Sequence, residues 1–359
     1  YKRQVSAFCR LPKFIQFSLI TLILSILIST AINYREIDSS IIGKSPDFLG
    51  LLFWLCTPLL ALNYSCSINK VTKSSYALYA SMIICALSIF YSGFYIFLGL
   101  RLPGLLFQPT TMAFYAVFLA IIAIIHIDIQ NNRSLNQAVA FFTLFISTTC
   151  VVLTQSRAGL LVFIGTLVFI PFMLNLSIKQ RIFILTIVIA VSLVHLIFPA
   201  YFSRFNSTSL SNGINYRGGL YITSILDIAK NKWGFGNGPD SLPLAINNPN
   251  AVPEDIAKSL KLGYRFNSTH NLILDLAYYF GMIAMLAVFF LVLYPIKILF
   301  KAKKSHHDVT LLFIIIVLAS NALVNVPSKE LTPLLFLFLL GAYHKEIKAN
   351  GQIQKKLKI

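Results

Sequence analysis

Two arginines and one histidine draw attention because of where they sit. Arg157, in Thr154-Gln155-Ser156-Arg157-Ala158-Gly159, follows one run and precedes the next with almost no loop around it. Arg217 opens a short helical pattern within a long polar segment, and His270, in Ser268-Thr269-His270-Asn271, stands at the mouth of the run after it. Guanidinium forks suit anions such as phosphates through paired, charge-assisted hydrogen bonds. An imidazole suits proton transfer near neutral pH. An ionisable side chain at membrane depth is costly, so its presence there marks a functional candidate. Taken singly, each has a plainer reading. Arg157 could be an interfacial arginine snorkelling to headgroups, His270 a structural histidine, and Arg217 a solvated loop charge.

The elements that would position these groups are membrane spans. Apolar residues make up 57% of the 359 positions and charged residues 12%, against about 25% charged in a soluble protein. A chain this apolar needs lipid as solvent. Apolar runs that could span lie at 14–32, 48–62, 76–98, 111–127, 138–153, 158–174, 182–198, 271–295, 310–326 and 332–343. Several fall short of the ~20 residues that cross ~30 Å of hydrocarbon, so their bounds are soft. The expected fold is all-α: a polytopic transmembrane helical bundle of about 10–12 spans with one large periplasmic loop containing short helices. The first run follows a basic stretch (Lys2, Arg3, Arg10, Lys13) without a small-residue cleavage pattern, and reads as a retained span. The sequence does not open on Met, which leaves room for an upstream helix or two.

The charge pattern orients the bundle. With the N-terminus inside, inner segments hold 18 of the 30 Lys and Arg, while of the acidic residues only Asp128, Asp308 and Glu346 lie inside. The formal charge of +18 is thus mainly anchoring against anionic lipid, and a nucleic-acid partner is not expected. Both termini are placed in the cytoplasm. The five cysteines (Cys9, Cys56, Cys66, Cys85, Cys150) are scattered and form no CxxC or Cys/His cluster, which argues against a disulfide framework or zinc site.

The division expected is 1–198 as N-terminal spans, 199–269 as a periplasmic loop, and 270–359 as C-terminal spans with a cytoplasmic tail. Within the loop, Arg217 to Lys232 reads as a short amphipathic helix, with Leu220, Ile225 and Ile228 at near-helical spacing and Gly234 just past its end. The turn Gly234-Phe235-Gly236-Asn237-Gly238-Pro239 follows, and its backbone N–H groups could form an anion nest. Neither internal repeats nor low-complexity segments occur. Sequons at Asn206 and Asn267 carry little weight.

Taken together, these positions resemble the O-antigen ligase/polymerase superfamily of bacterial envelope glycosyltransferases. The resemblance rests on four features in order. They are Thr-Gln-Ser-Arg-Ala-Gly-Leu-Leu at a helix mouth, Tyr216-Arg217…Tyr221 in the loop helix, the Gly-Phe-Gly-Asn-Gly turn, and His270-Asn271-Leu272-Ile273-Leu274 with Gly281 eleven residues past the histidine. It covers roughly 150–300. The sequence departs from the family in having fewer spans than the usual twelve or so and in placing Pro239 after the turn, where its fixed φ alters the loop.

The resemblance implies a GT-C-like membrane glycosyltransferase of the bacterial inner membrane that uses an undecaprenyl-diphosphate-linked glycan as donor and works at the periplasmic face. It makes Arg157, Arg217 and His270 the functional residues; beside it, Asn271, Gly236 and Gly238 are read as further substrate contacts, and Arg204 and Arg265 as secondary candidates whose plainer reading is a surface charge. The chemistry agrees. Negative charge grows on the diphosphate as the glycosidic bond breaks, so arginines there favour the transition state over the ground state. The acceptor hydroxyl needs one base, and nearby arginines would keep a histidine uncharged. No cofactor is expected. Glu36-Ile37-Asp38 and Glu254-Asp255 are the acidic clusters outside, and a metal-independent enzyme is the expectation because arginines can carry the charge. The favoured reaction is the ligase, with lipid-linked O-antigen as donor, the lipid A–core as acceptor and membrane lipid around it. A polymerase joining lipid-linked repeat units shares the chemistry, a protein O-oligosaccharyltransferase is a third relative, and a flippase or transporter for lipid-linked glycans is the alternative of another class. Clustering of the marked residues at one face favours an enzyme over a carrier.

Overall fold

A computed structural model describes residues 8–38, 48–64, 75–97, 102, 104–106, 108–129, 134–174, 176–197, 207–230, 234–238, 269–301, 306–324 and 331–357. Eleven α-helices run through them in the order α1 (Lys13–Asp38), α2 (Phe48–Tyr64), α3 (Ser75–Phe97), α4 (Pro109–Ile129), α5 (Ser134–Leu153), α6 (Arg157–Met173), α7 (Ile178–Ile197), α8 (Ser207–Lys230), α9 (Leu272–Lys301), α10 (His306–Val324) and α11 (Leu331–Leu357). No strand occurs among the described residues. Ten helices fall on the ten apolar runs, and α8 lies in the long polar segment. Stretches of α1, α4 and α9 are long and apolar enough to cross a membrane: Lys13–Asn33, Pro109–Ile127 and Leu272–Leu299. Shorter apolar helices accompany them in α3, α5, α6, α10 and α11. The fold is an all-helical membrane bundle.

The chain divides into two compact units. Unit 2 comprises residues 67–209 and 296–321. Its axis is α4, packed by α3, α5 and α6, and nearly every side chain from Met112 to Ile127 is buried. Gly159 lets α6 approach α4 closely, since a Cβ there would stand 2.5 Å from that of Ala113. Gln180, at the start of α7, donates its amide to the carbonyl of Ile127 at 3.2 Å and so covers an end carbonyl of α4.

Unit 1 comprises residues 1–66, 210–295 and 322–359. Here α1 and α9 run antiparallel, as crossing in opposite directions requires. Phe14 meets Phe290 edge-on at 5.6 Å, and Ser29 donates to the carbonyl of Tyr279 at 2.6 Å. On another side, α11 supports α9: Tyr343 stacks on Tyr294 at 5.8 Å and its hydroxyl donates to the carbonyl of Leu291 at 3.1 Å.

Inside α9 the helix breaks at Gly281, whose φ of 87° and ψ of 169° suit glycine alone. A break deprives carbonyls of the preceding turn of their N–H partners, and hydrocarbon offers no water in exchange. The 234–238 turn supplies partners. The N–H of Asn237 donates to Tyr278 O at 2.8 Å and that of Gly238 to Tyr279 O at 2.9 Å. The Asn33 amide ties the turn to α1, donating to the carbonyls of Ser29 at 2.8 Å and Gly236 at 3.2 Å. The approach needs two glycines. A Cβ on Gly236 would stand 2.5 Å from Tyr279 O, and one on Gly281 would run into the Gly234 carbonyl.

Two expectations about the loop are corrected. Its described helix is not short: α8 has 24 residues and begins at Ser207. Arg217 therefore lies in the interior of α8 and does not open it. The Ser-, Asn- and Gly-rich first half of α8 shows no apolar stripe, so periodicity reveals only the half that buries one.

Gly281→Ala should destabilise the protein by about 1–3 kcal/mol from backbone strain alone, read as earlier thermal unfolding in detergent. Gly165→Ala in α6, where nothing lies within 4 Å of an added Cβ, should be neutral or stabilising by up to ~1 kcal/mol.

Candidate functional site

His270 sits one residue before the cap of α9. Asn271 caps that helix, its Oδ1 accepting the N–H groups of Ile273 at 2.9 Å and Leu274 at 3.3 Å. Asp275, in the first turn, reaches back past the cap. One of its carboxylate oxygens accepts both the backbone N–H of Thr269, at 2.7 Å, and the Thr269 hydroxyl, at 2.8 Å. The Asn271 N–H in turn donates to Thr269 Oγ1 at 3.2 Å. His270 is thus clamped on both sides and held at φ 61°, in the left-handed region that a side chain rarely occupies. Thr269 and Asp275 are fully buried, and the helix N-terminus favours a negative charge at Asp275.

Arg217 approaches from α8. Arg217, Leu220, Ser224 and Ile228 fall on one face at spacings of three and four residues; Leu220, Ser224 and Ile228 are buried. Lower on α8, Ile225, Ile228 and Ala229 line an apolar cavity of about 460 Å³ with Leu274, Ala277, Met282 and Met285 of α9. Burial first, and then the Arg217 charge, disfavour an imidazolium at His270, whose pKa falls from 6.5 to about 4. At neutral pH the ring is uncharged and can accept a proton. Unit 1 therefore brings the Arg217 charge within electrostatic reach of a buried imidazole at the mouth of α9.

Arg157 belongs to unit 2 and is the first residue of α6. Ser156 caps this helix, accepting the Gly159 N–H at 3.2 Å. The preceding residue, Gln155, is left-handed with φ 50°. Among non-glycine described residues, only Gln155 and His270 adopt positive φ, and each immediately precedes a helix-capping residue in one of the two singled-out motifs. Thr154, Gln155 and Ser156 are buried. The Gln155 side-chain nitrogen is buried without a hydrogen-bond partner among the described residues.

Of the other expected contacts, Asn271 is the cap described above. In the glycine turn, the amides of Asn237 and Gly238 are engaged by α9 carbonyls, so they are not free for the anion nest expected there. Gly236 and Gly238 act through docking instead. Arg204, Arg265 and the Glu254-Asp255 pair lie outside the described residues, while Glu36 and Asp38 fall at the end of α1. Among the described residues, no three His, Cys, Asp or Glu gather as a metal site would require.

Asp275 was not singled out from the sequence. A lone acid in the first turn of a long apolar helix was the available signal, by the same argument that marks ionisable residues in spans. Ser29 and Asn33, polar residues on α1 that hold the turn and the break, carried a weaker one.

Residues 142–290 match a family model described as O-Antigen ligase. The match runs from α5 into α9 and takes in Arg157, Arg217, the glycine turn, His270 and Gly281, the residues on which the superfamily resemblance rests. No curated protein matches the chain.

Two measurements probe this geometry. Asp275→Ala leaves the buried Thr269 N–H without its acceptor and should cost about 1–3 kcal/mol, read by thermal unfolding; Asp275→Asn, which keeps a carbonyl oxygen, should cost less. In histidine-labelled protein, NMR titration assigned with His270→Ala should place the His270 midpoint near 4. Arg217→Gln should raise that midpoint without returning it fully to 6.5, because burial is the larger cause.

Proposed function

We propose that this chain is an O-antigen ligase. It transfers O-antigen polysaccharide from undecaprenyl diphosphate to a sugar hydroxyl of the lipid A–core, at the periplasmic face of the bacterial inner membrane. The observation that carries the reading is an uncharged His270 beside Arg217 at the mouth of a long apolar helix, inside the segment matched to the O-antigen ligase family.

The roles follow from the charges. Arg217 grips the donor diphosphate, and the role proposed for Arg157 rests on its Thr-Gln-Ser-Arg motif inside the matched segment. As the anomeric C–O bond breaks, the electron pair moves onto the diphosphate oxygen, and guanidinium groups there stabilise the growing charge. The acceptor hydroxyl oxygen bonds to the anomeric carbon, and its proton passes to the His270 ring. A bound diphosphate also offsets the Arg217 charge, which raises the proton affinity of His270 when it is needed. Undecaprenyl diphosphate leaves as the second product. A diphosphate is a good leaving group, so a general acid is dispensable, and the arginines take the charge that a divalent metal would otherwise balance.

Deletion of the gene followed by a lipopolysaccharide gel tests the reading. Loss of all attached O-antigen, with polymer accumulating on undecaprenyl diphosphate, is the expected result. Core bearing a single repeat would instead assign a polymerase, and lipid-linked unit trapped on the cytoplasmic face a flippase. In reconstituted protein, His270→Ala should lower transfer by about 10²–10⁴-fold, and Arg217→Ala and Arg157→Ala by about 10²–10³-fold each, with membrane insertion unchanged. Full activity in any of the three would remove that residue from the site.

A further inference from the structure

We infer that α8 and the 234–238 turn form a re-entrant element, and that the face carrying Ile222, Ile225, Leu226 and Ala229 is immersed in the acyl chains of the leaflet next to His270. The sequence reads this segment as a polar loop over the membrane, and the proposed reaction does not require it to enter the bilayer. The inference is independent of what the site catalyses.

Depth is the first argument. Leu272–Leu299 of α9 is long and apolar enough to cross the bilayer, and α8 follows it downward. Arg217 acts on His270 above the helix start, Ile225, Ile228 and Ala229 share a cavity with Leu274 through Met285, and Gly236 abuts Tyr279 and Gly281. At ~1.5 Å per residue, Met285 lies roughly 20 Å along α9 from its start, well into a core ~30 Å thick. An element packed beside that stretch is at the depth of hydrocarbon.

Backbone accounting is the second. Irregular chain at membrane depth persists only when protein satisfies its polar groups. The turn meets this condition: the Asn237 and Gly238 N–H groups bond to Tyr278 and Tyr279 carbonyls, and the Gly236 carbonyl accepts from Asn33. Two hydroxyls on α8, those of Thr223 and Ser224, are satisfied within the helix as well. Thr223 donates to Gly219 O at 2.9 Å and Ser224 to Leu220 O at 2.8 Å. Ser18 and Thr30 do the same within α1, donating to Phe14 O and Ile26 O.

The outer face is the third. Ile222, Ile225 and Leu226 are 56%, 50% and 52% exposed, and Phe235 at the turn is 50% exposed. Ile222 and Leu226 follow helical spacing on the outer side of α8, while Ile225 and Ala229 flank them and border the open groove to α9. Their exposure matches that of Ile283, Leu286 and Phe290 on α9 and Ile28 and Ile32 on α1, at 42–49%. Three large apolar side chains in a row facing water would be anomalous for a loop helix; facing lipid, they continue the apolar coat of α1 and α9. One consequence is positional: a helix descending from Arg217 holds that guanidinium near headgroup level.

Site-directed spin labelling of the full chain in phosphatidylethanolamine/phosphatidylglycerol vesicles tests this, with single cysteines at 222, 225, 226 and 229 and the five native cysteines replaced. Labels at Ile283→Cys and Leu286→Cys set the lipid-facing reference and Leu220→Cys the protein-buried one. The expected result is strong collision with oxygen and loss of collision with a water-soluble nickel chelate, to the level read at 283 and 286. Nickel accessibility at 225 and 226 would overturn the inference by placing α8 in water. Low collision with both reagents, as at 220, would overturn it by showing a protein cover. As a check that needs no spin label, Phe235→Cys should resist a membrane-impermeant maleimide and react with a permeant one; rapid reaction with the impermeant reagent also overturns it.

Discussion

A backbone carbonyl in hydrocarbon has no water to turn to, and the architecture of unit 1 follows from how that demand is met. Gly281 breaks α9, and the carbonyls of Tyr278 and Tyr279 take partners from the 234–238 turn and from Ser29. Through Asn33 the same turn is tied to α1. A net of backbone bonds, each worth only ~1 kcal/mol in isolation but costly to leave unmade, thereby determines where the 234–238 turn lies. The position of the turn in turn sets the path of α8, and α8 carries Arg217 to His270. The electrostatics at the helix mouth therefore rests on a glycine far below it.

The histidine depends on a second, local device. A left-handed residue placed immediately before a capping residue turns the chain sharply into the helix. Thr269, Asn271 and Asp275 lock that turn at His270, and Ser156 caps the equivalent turn after Gln155. Strain of this kind persists where surrounding bonds over-determine it, and such residues gather at functional sites. Burial then does what a charge alone would do less fully. It removes water from the imidazole, so that Arg217 acts through a medium of low dielectric and the ring remains neutral.

Much of this was legible in the residues. Ten apolar runs predict ten helices because lipid as solvent imposes a long, continuous apolar pattern that needs no knowledge of partners. Arg157 and His270 stood out for a related reason: an ionisable group beside an apolar run is costly, so its presence is informative; Arg217 stood out by opening the helical pattern within the loop. Less visible was α8, whose first half is rich in Ser, Asn and Gly and carries no periodic stripe; helix there shifted Arg217 from the expected N-terminus to the interior. The glycine turn was found, yet its amides serve α9 and leave no nest at Asn237 or Gly238, because hydrogen-bond partners are a property of what lies opposite.

The amino-acid sequence by itself determined the solvent, the number and placement of apolar helices, and the types of side chain that could do chemistry, since these depend on composition and local spacing. The tertiary structure alone decided that Gly281 breaks its helix, that Asp275 and Thr269 clamp His270, and that the Arg217 charge acts on the imidazole. Those are relations between groups from six to more than fifty positions apart. Hydrogen-bond geometry, burial and Coulomb interaction act through space, and sequence distance carries no record of them until the chain has folded.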